Sequence, residues 1–273
     1  MRIRVFDIGG SGVKTVLFLC DGHKHIELIE PVRHYESPDW SNFEAWLQGE
    51  INLDAQIIGI SCAGFVDYSA DMIRLFRIGN WRNKPIKHDF EKAFRGTKVF
   101  FLNDGEAHLM AHHDLFPHSQ LCISLGTSLG FAMSDRKGNI VRPPDNMNFD
   151  LGEVTVPTRA TNNQAWWVLG SHGLEELQND MGHENGIKHF GYRLGAFLAS
   201  LCSIFRPDTV VLSGGITESC WHLFQENLLR EFQKDKPDWL REPRMVKSPY
   251  GREAGLWGMA KYILEEWPNR LSR

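Results

Sequence analysis

The sequence predicts an α/β protein built from two related halves that face one cleft. Two strand-turn-strand patterns carry this prediction, one around residues 7–15 and one around residues 126–130. In each pattern, apolar residues suited to a buried strand lead into glycines and hydroxyl side chains, and a second strand follows. Helical patterns come after both hairpins, as expected where strands and helices pack in layers.

The first turn has the composition of a phosphate-binding loop. Gly9 and Gly10 let backbone N–H groups approach a phosphate, and Ser11 and Thr15 add hydroxyl donors. Asp7, at the end of the strand, is suited to hold a hydrated Mg²⁺. The same glycines are also typical of an ordinary hairpin turn. The spacing is neither that of the P-loop nor that of the dinucleotide fingerprint, because no helix opens at these glycines.

A second junction places an acid where a strand gives way to a helix. The apolar strand at residues 98–102 runs into Asn103 and Asp104, and a helical pattern follows. An acid at this position can lie near bound substrate while the helix N-terminus favours its charged form. Asp104 is therefore a candidate general base, and the alternative is that it only caps the helix.

Two histidines on the same helical pattern raise the question of a metal site. His108 and His112 are four residues apart and share a helix face. The glutamate of the two-histidine zinc motif is missing, so a polar helix face is favoured over a metal pair.

The remaining chain alternates strands and helices. We predict strands at 56–61, 72–76, 121–125 and 209–212, and helices at 88–95, 185–205 and 254–266. Residues 142–173 are irregular and polar, which indicates a substrate-facing loop. The aromatic residues of this loop make it a candidate homodimer interface. Gly214 and Gly215 end the strand at 209–212, where another helix begins.

Composition limits the classes of partner. The 273 residues are 42% hydrophobic and carry a formal net charge of −4, with no long basic run. This charge gives no general attraction to nucleic acid or to an anionic membrane, so a small-molecule partner is expected.

Cysteine usage and the N-terminus predict a cytoplasmic protein. The five cysteines are widely spaced in apolar segments, as buried thiols of a reducing compartment are. A strand begins by about Ile3 and leaves no room for a signal peptide, and no apolar run approaches the ~18 residues of a membrane span.

Six motifs in order resemble the ROK sugar kinases of the actin-like ATPase superfamily, whose fold is ribonuclease H-like. They are residues 7–15 for the first phosphate loop, 61–67 for the Gly-x-Val-Asp turn, 80–86 for the segment after it, Asn103–Asp104 for the Asn-Asp pair, 125–130 for the second phosphate loop, and 207–215 for the adenosine motif. Each motif is weak alone, but the ordered set covers nearly the whole chain. The resemblance implies a two-domain fold with an interdomain cleft.

One region departs from the family pattern. ROK enzymes commonly carry Glu-Leu-Gly-His and then a Cys-x-Cys-Gly-x-x-Gly-Cys zinc loop, where this chain has residues 150–153 and 167–176. The loop glycines are kept, but the four zinc ligands fall on Glu153, Trp167, Leu169 and Leu174. Because none of these residues offers a nitrogen or sulfur donor of the kind zinc requires, we predict no zinc and a loop held by apolar packing.

The resemblance implies a role for each matched residue. Asp104 would be the general base, Asn103 and Gly64 would bind the sugar, and Asp7 would hold Mg²⁺ through water. The sugar-contacting acids fall on Asp150 and Glu176, or on Glu153 if the alignment shifts by one gap. The residues expected to bind ATP are Gly9, Gly10, Ser11, Lys14, Gly126, Thr127, Ser128, Gly214 and Gly215.

The predicted activity is ATP-dependent phosphorylation of a hexose or N-acetyl hexosamine hydroxyl. The alternatives are a kinase of a non-sugar metabolite, a silent sugar- or nucleotide-binding protein, and a sugar-responsive regulator. Direct DNA binding is disfavoured because the sequence given starts inside the first strand. We expect an N-terminal domain of residues 1–102, with the helix at 260–273 packed on it, and a second domain of residues 103–259.

Overall fold

The computed structural model describes residues 1–21, 25–36, 45–47, 55–76, 81–116, 118–156 and 163–271. They form two compact units. The first unit comprises Met1–Ala111, Arg142–Phe149 and Glu253–Arg273, and the second comprises His112–Val141 and Asp150–Arg252.

The first unit is built on a six-stranded sheet. Its strands are β1 (Arg2–Gly9), β2 (Gly12–Cys20), β3 (Ile26–Leu28), β4 (Arg33–Tyr35), β5 (Ile57–Cys62) and β9 (Lys98–Asn103). The order is β3-β2-β1-β5-β9, and β4 also pairs with β2. β1 and β2 form the predicted hairpin, with Gly9 opposite Gly12. β1, β5 and β9 run parallel, which brings their carboxyl ends to one edge of the sheet.

Among its described residues, the first unit also contains a small antiparallel sheet and three helices of seven or more residues. The sheet consists of β6 (Phe65–Asp67), β7 (Met72–Phe76) and β8 (Trp81–Lys84). The helices are α1 (Ile86–Ala93), α2 (Asp104–Met110) and α7 (Ala254–Leu271). Phe6 and Phe90 are fully buried, with ring centroids 5.1 Å apart, so the face of α1 that carries Phe90 packs on the large sheet.

The second unit has a four-stranded sheet. Its strands are β10 (Gln120–Leu125), β11 (Leu129–Met133), β12 (Thr209–Ser213) and β13 (Arg244–Lys247), in the order β11-β10-β12-β13. β10, β12 and β13 run parallel. The helices are α3 (Ala165–Val168), α4 (Ser171–Met181), α5 (His183–Phe205) and α6 (Gly214–Asp235). Buried residues run along every strand except β13, as expected for strands covered on both faces.

The α/β class and most predicted elements are confirmed, whereas the predicted loop and the two histidines differ from expectation. The predicted loop at 142–173 contains a 3₁₀ turn and α3 among its described residues. His108 and His112 are buried at 8% and 0% exposure, so the expectation of a polar helix face is wrong. His112 follows the end of α2, and its Nε2 lies 2.7 Å from Ser248 Oγ. The buried hydroxyl supplies the partner that makes a buried imidazole tolerable.

The two units divide the chain differently from the predicted boundary at residue 102. α2 lies in the first unit because it packs against α7, which lies there too. Residues 142–149 also return to the first unit, where Asn148 Oδ1 accepts a hydrogen bond of 2.7 Å from the Val66 backbone N–H. No helix among the described residues is long and apolar enough to cross a membrane.

The packing of α2 on α7 depends on Gly258. A Cβ at this position would lie 1.6 Å from the Ala107 carbonyl oxygen, far inside van der Waals contact. We expect Gly258→Ala to lower the free energy of unfolding by about 2 kcal/mol or more. The energetic cost of overpacking should exceed the ~1 kcal/mol of helix propensity that alanine gains over glycine. Urea denaturation measures the change. The control is Glu91→Ala on the exposed face of α1, for which a change within about 0.5 kcal/mol is expected. Equal stability of the two variants would contradict this account.

Candidate functional site

Asp7 lies near the carboxyl end of β1, and each of its carboxylate oxygens contacts one side chain. Its Oδ1 accepts a hydrogen bond of 2.8 Å from Ser61 Oγ, and its Oδ2 lies 3.0 Å from Lys14 Nζ. The strand register explains these contacts, because Asp7 pairs with Ser61 on β5 and with Lys14 on β2. Burial opposes ionisation, but Lys14, His108 and Ser61 together hold the pKa of Asp7 below its usual range.

The carboxylate of Asp7 fits a hydrated magnesium ion. Two carboxylate oxygens offer about four lone-pair positions, and Ser61 and Lys14 use one each. Mg²⁺ prefers oxygen ligands and keeps several of its waters, so contact through water suits the positions that remain. Lys14 sits beside this carboxylate and belongs to the predicted phosphate loop.

The junction between β9 and α2 is held by Asn103. Its Oδ1 accepts from the backbone N–H of Gly105 at 2.9 Å, which caps α2. Its Nδ2 donates to the Gly64 carbonyl at 2.9 Å and to Asp104 Oδ1 at 3.0 Å. Asn103 is therefore the N-cap, and Asp104 is the first residue of the helix. The alternative that Asp104 is only the cap is wrong.

Asp104 is a half-buried residue, and ionisation of its carboxyl group is disfavoured. Burial, and then the charge of Asp7, raise its pKa to about 6, although hydrogen bonds from Gly105 and Asn103 act in the opposite direction. Asp7 and Asp104 thus form a pair of interacting acids whose pKa values are displaced in opposite directions. Acids with pKa values displaced in this way are typical of acid-base chemistry.

His108 is one turn further along α2 and belongs to the same electrostatic group. Burial lowers its pKa to about 4, against the opposing charge of Asp7. The imidazole is therefore neutral at neutral pH. No cluster of three or more metal-ligating side chains occurs among the described residues.

A second polar network supports the Asn103 junction, and the sequence analysis missed it. The Tyr68 hydroxyl accepts the Asn103 backbone N–H at 2.8 Å and donates to Glu106 Oε2. Arg142 binds both oxygens of Glu106, at 2.8 and 2.7 Å, and its guanidinium lies 3.8 Å from the centre of the Tyr68 ring. The network joins three segments that are distant in sequence, so no local pattern could reveal it.

Gly64 provides the acceptor that fixes Asn103. Its carbonyl receives Asn103 Nδ2 at 2.9 Å and Asn148 Nδ2 at 3.4 Å. Its φ of 112° is in the region that favours glycine, and a Cβ would lie 2.6 Å from the Leu75 carbonyl. The chain needs glycine here to turn from β5 into β6.

The second predicted phosphate loop joins β10 to β11 in the second unit. The Gly126 backbone N–H donates to the Ser128 carbonyl at 3.1 Å, and the Gly126 carbonyl accepts the Ser171 N–H at 2.9 Å. The loop therefore rests on the N-terminus of α4. Gly170 permits this contact, because a Cβ there would lie 2.6 Å from the Thr127 carbonyl.

The predicted nucleotide glycines lie at the start of α6. Gly214 is the first residue of this helix, and a Cβ on it would lie 2.4 Å from the Leu125 carbonyl at the end of β10. Gly215 is partly exposed, with open space around it except for the Arg252 side chain. The structure thus places the ends of β10 and β12 side by side. Backbone N–H groups at a helix start form an anion-binding site.

The region that departs from the zinc pattern is packed by apolar and aromatic contacts. Leu169 and Leu174 are buried, whereas Trp167 stacks on His172 with ring centroids 4.2 Å apart. The Trp167 indole N–H donates to Glu176 Oε1 at 3.2 Å, and Glu153 accepts from Gln164.

The three candidate sugar acids differ in exposure and position. Asp150 caps the 3₁₀ turn Leu151–Glu153 by accepting the Gly152 N–H at 3.1 Å. Glu153 and Glu176 are exposed. Asp150 and Glu153 share one turn, so the structure does not decide which of them is the predicted sugar-contacting acid.

The predicted site residues fall into two groups, one in each unit. Asp7, Lys14, Gly64, Asn103 and Asp104 gather at one sheet edge of the first unit. The second unit holds Gly126, Thr127, Ser128, Gly214 and Gly215 at the carboxyl ends of β10 and β12, together with Asp150, Glu153 and Glu176.

A family model supports the resemblance seen in the sequence. The model described as "ROK family" matches residues 174–266. The chain is also 22% identical to a xylose repressor of Bacillus spizizenii over 305 aligned positions, which cover 94% of this chain and 74% of the repressor.

Solved structures extend the match to nearly the whole fold. A ROK family glucokinase from Streptomyces griseus, in complex with glucose and AMPPNP, is 18% identical with a TM-score of 0.79 and coverage of 96% of this chain and 99% of that chain. A ROK hexokinase from Thermus thermophilus is 23% identical with a TM-score of 0.74 and coverage of 98% and 100%. The predicted resemblance to the ROK family and its actin-like ATPase fold is confirmed.

The raised pKa of Asp104 makes its effect on stability depend on pH. A carboxyl whose pKa is higher in the folded state favours folding below its ordinary value of 3.8, and this contribution is lost as the pH rises through about 6. We expect Asp104→Asn to be more stable than the wild type at pH 8, by up to about 3 kcal/mol, since two pKa units correspond to about 2.7 kcal/mol. The advantage should disappear near pH 4.

Urea denaturation between pH 4 and pH 8 measures this difference. The control is Asp180→Asn on the exposed face of α4, which should show a small difference at every pH. A stability difference for Asp104→Asn that does not change with pH would contradict the assigned burial and repulsion.

Proposed function

We propose that this chain catalyses ATP-dependent phosphorylation of a sugar hydroxyl, with Asp104 as the general base. The observation that carries the proposal is the Asn103–Asp104 junction. There a partly exposed carboxylate, with its pKa raised to about 6, starts a helix beside the acid Asp7. A base with a pKa near the working pH combines the correct ionised form with sufficient basicity.

In the proposed step, the sugar hydroxyl oxygen attacks the γ-phosphorus of ATP. The bond from this phosphorus to the β,γ-bridging oxygen breaks, and ADP leaves. The hydroxyl proton passes to Asp104, and we assign it to Oδ2 because Oδ1 already accepts hydrogen bonds from Asn103 and Gly105. The same two bonds orient the carboxylate. Phosphoryl transfer depends mainly on such positioning and on charge neutralisation.

We assign the phosphates to the two glycine-rich turns. In the first unit the proposed contacts are Gly9, Gly10, Ser11 and Lys14. In the second unit they are Gly126, Thr127 and Ser128, and Gly214 and Gly215 would lie against the nucleotide at the start of α6. Asp7 would hold Mg²⁺ through water, and the ion would neutralise charge on the phosphates.

The proposed sugar contacts are Asn103 and Gly64, with one of the acids Asp150, Glu153 and Glu176. A hexose or an N-acetyl hexosamine is the proposed substrate class. The S. griseus glucokinase was solved with glucose and AMPPNP, which supports a sugar and ATP as the reactants of that fold.

We further propose that the protein works in the cytoplasm without zinc, and that the aromatic residues of α3 take part in a homodimer.

A sugar-responsive regulator is the second candidate function. Its support is the 22% identity to the xylose repressor, of which the chain covers 74%. Under this hypothesis the same residues would bind sugar without transferring phosphate. A silent sugar-binding protein and a kinase of a non-sugar metabolite are further alternatives, and the acids Asp7 and Asp104 favour an enzyme over a silent protein.

We expect Asp104→Asn to lower kcat by about 10²–10⁴-fold with little change in ATP binding, because the amide cannot accept the hydroxyl proton. The wild-type kcat/KM should fall about tenfold per pH unit below pH 6, as Asp104 becomes protonated. The control variant is Asp180→Asn, which should keep wild-type turnover. Activity of Asp104→Asn within a few-fold of the wild type would remove Asp104 from the proposed role.

A sugar panel separates the enzyme from its rivals. ADP release is measured with hexoses, amino sugars and N-acetyl hexosamines, and sugar-induced thermal stabilisation is measured alongside. We expect turnover on at least one sugar that also stabilises the protein. Stabilisation by a sugar without ADP release, with ATP still bound, would favour the silent sugar-binding protein or the regulator over the enzyme. Turnover only with acceptors that are not sugars would favour the metabolite kinase.

A further inference from the structure

A cavity of about 510 Å³ opens at the N-terminal ends of β12 and β13 in the second unit. Its lining includes Arg136, Arg206, Arg241 and Arg244, with Asp208 and Trp239. Gly126 and Gly214, two of the proposed ATP contacts of this unit, follow the carboxyl ends of β10 and β12, which are at the opposite edge of the sheet. β12 has five residues, so roughly 15 Å of strand separates the cavity from them.

The cavity is positively charged although the chain is acidic. Its four arginines face two acids, Asp208 and Glu242, which leaves a formal charge of +2, whereas the whole chain carries −4. Asp208 is engaged by Ser119 Oγ at 2.9 Å and by Arg136 at 3.5 Å. In the part of the chain that the structure describes, the other three arginines have no carboxylate within ion-pair distance.

Two of these guanidinium groups are placed against aromatic rings. Arg206 lies 5.1 Å from the centre of the Trp239 ring, and Arg244 lies 5.3 Å from the centre of the Phe116 ring. Stacking on a ring leaves the N–H edge of a guanidinium available for a bidentate bond to an oxyanion. Trp239 is 63% exposed, an unusual state for the largest apolar side chain.

The backbone around the cavity holds two residues in a conformation that costs energy. Arg206 has φ 49° and His118 has φ 76°, and both line the cavity. A non-glycine residue in this region costs about 1 kcal/mol or more, and such residues cluster at ligand sites. Arg206 follows the last residue of α5 in this conformation, and its guanidinium lies over the Trp239 ring.

We propose that this cavity binds a small phosphomonoester whose organic part carries a planar ring. The doubly charged phosphate would be held by Arg206, Arg241 and Arg244, and the ring would lie on the exposed indole of Trp239. Charge, donor geometry and aromatic surface all match this ligand class. The site is separate from the proposed ATP and sugar contacts, and it does not depend on the proposed function.

Isothermal titration calorimetry with phenyl phosphate tests the assignment. Inorganic phosphate tests the anion alone, and phenol tests the ring alone. We expect phenyl phosphate to bind more tightly than either, and more weakly as salt rises. Phenol binding as tightly as phenyl phosphate would overturn the anion assignment, and inorganic phosphate binding as tightly would overturn the ring assignment.

Variants locate the binding within the molecule. Arg206→Ala and Arg244→Ala should each weaken phenyl phosphate binding about tenfold or more, since a charge-assisted hydrogen bond contributes about 1.5–3 kcal/mol. The matched control is Arg230→Ala, which removes another exposed guanidinium that lies 5.0 Å from an aromatic ring, on α6. Lys14→Ala tests the predicted phosphate loop of the first unit. Binding lost in Lys14→Ala and kept in Arg206→Ala would overturn the proposal.

A further arm separates a small ligand from a polymer. A single-stranded oligonucleotide without terminal phosphate offers only phosphodiesters, and we expect it to bind more weakly than phenyl phosphate. Tighter binding of the oligonucleotide that is lost in Arg206→Ala and Arg244→Ala would assign the cavity to nucleic acid. Circular dichroism and thermal melting confirm that each variant is folded. Equal heats in the wild type, the cavity variants and Arg230→Ala would identify the arginines as ordinary surface charges and overturn the site.

Discussion

The parallel register of β1, β5 and β9 is the constraint on which the candidate site depends. It sets Asp7 opposite Ser61, and Cys62 opposite Asn103, so that residues about fifty apart in sequence end at one sheet edge. A shift of one residue would turn each side chain to the other face of the sheet. The strands are buried on both faces, so such a shift would exchange the side chains that pack on each face and disrupt the core packing. The core packing that fixes the strand register of the first unit therefore also fixes the positions of its acids.

The register also explains why two acids can share this edge. Asp7 is stabilised as a carboxylate by Lys14 and Ser61, and burial, followed by the charge of Asp7, raises the pKa of Asp104. The Asn103 side-chain amide donates a hydrogen bond to Asp104. The Tyr68 hydroxyl accepts the Asn103 backbone N–H, and Glu106 and Arg142 hold Tyr68 in place. Each acid thus has a distinct environment, which is the condition for two carboxylates to take different roles.

Local signals in the sequence were sufficient for most of the fold but for only part of the site. Strands with continuous apolar runs, such as the one that ends at Asn103, and the glycine turns have short-range patterns, so their positions could be predicted. The Tyr68–Glu106–Arg142 network could not, because its members lie on three separate segments and each alone resembles a surface residue. The burial of His108 and His112 was missed for the same reason: a helical pattern gives the spacing of side chains but not what covers them.

The segment from Leu169 to Glu176 is held by side-chain packing and by its contact with the turn at Thr127. Gly170 lets α4 approach this turn, and the Gly126 carbonyl accepts the Ser171 N–H. The buried side chains of Leu169 and Leu174, and the ring stack of Trp167 on His172, supply apolar contact in this segment. Apolar contacts are less directional than metal bonds, and Glu153 and Glu176 are left exposed beside them. The segment that supports the turn at residues 126–128 is therefore held by its buried residues, and its exposed acidic side chains can change without disturbing that support.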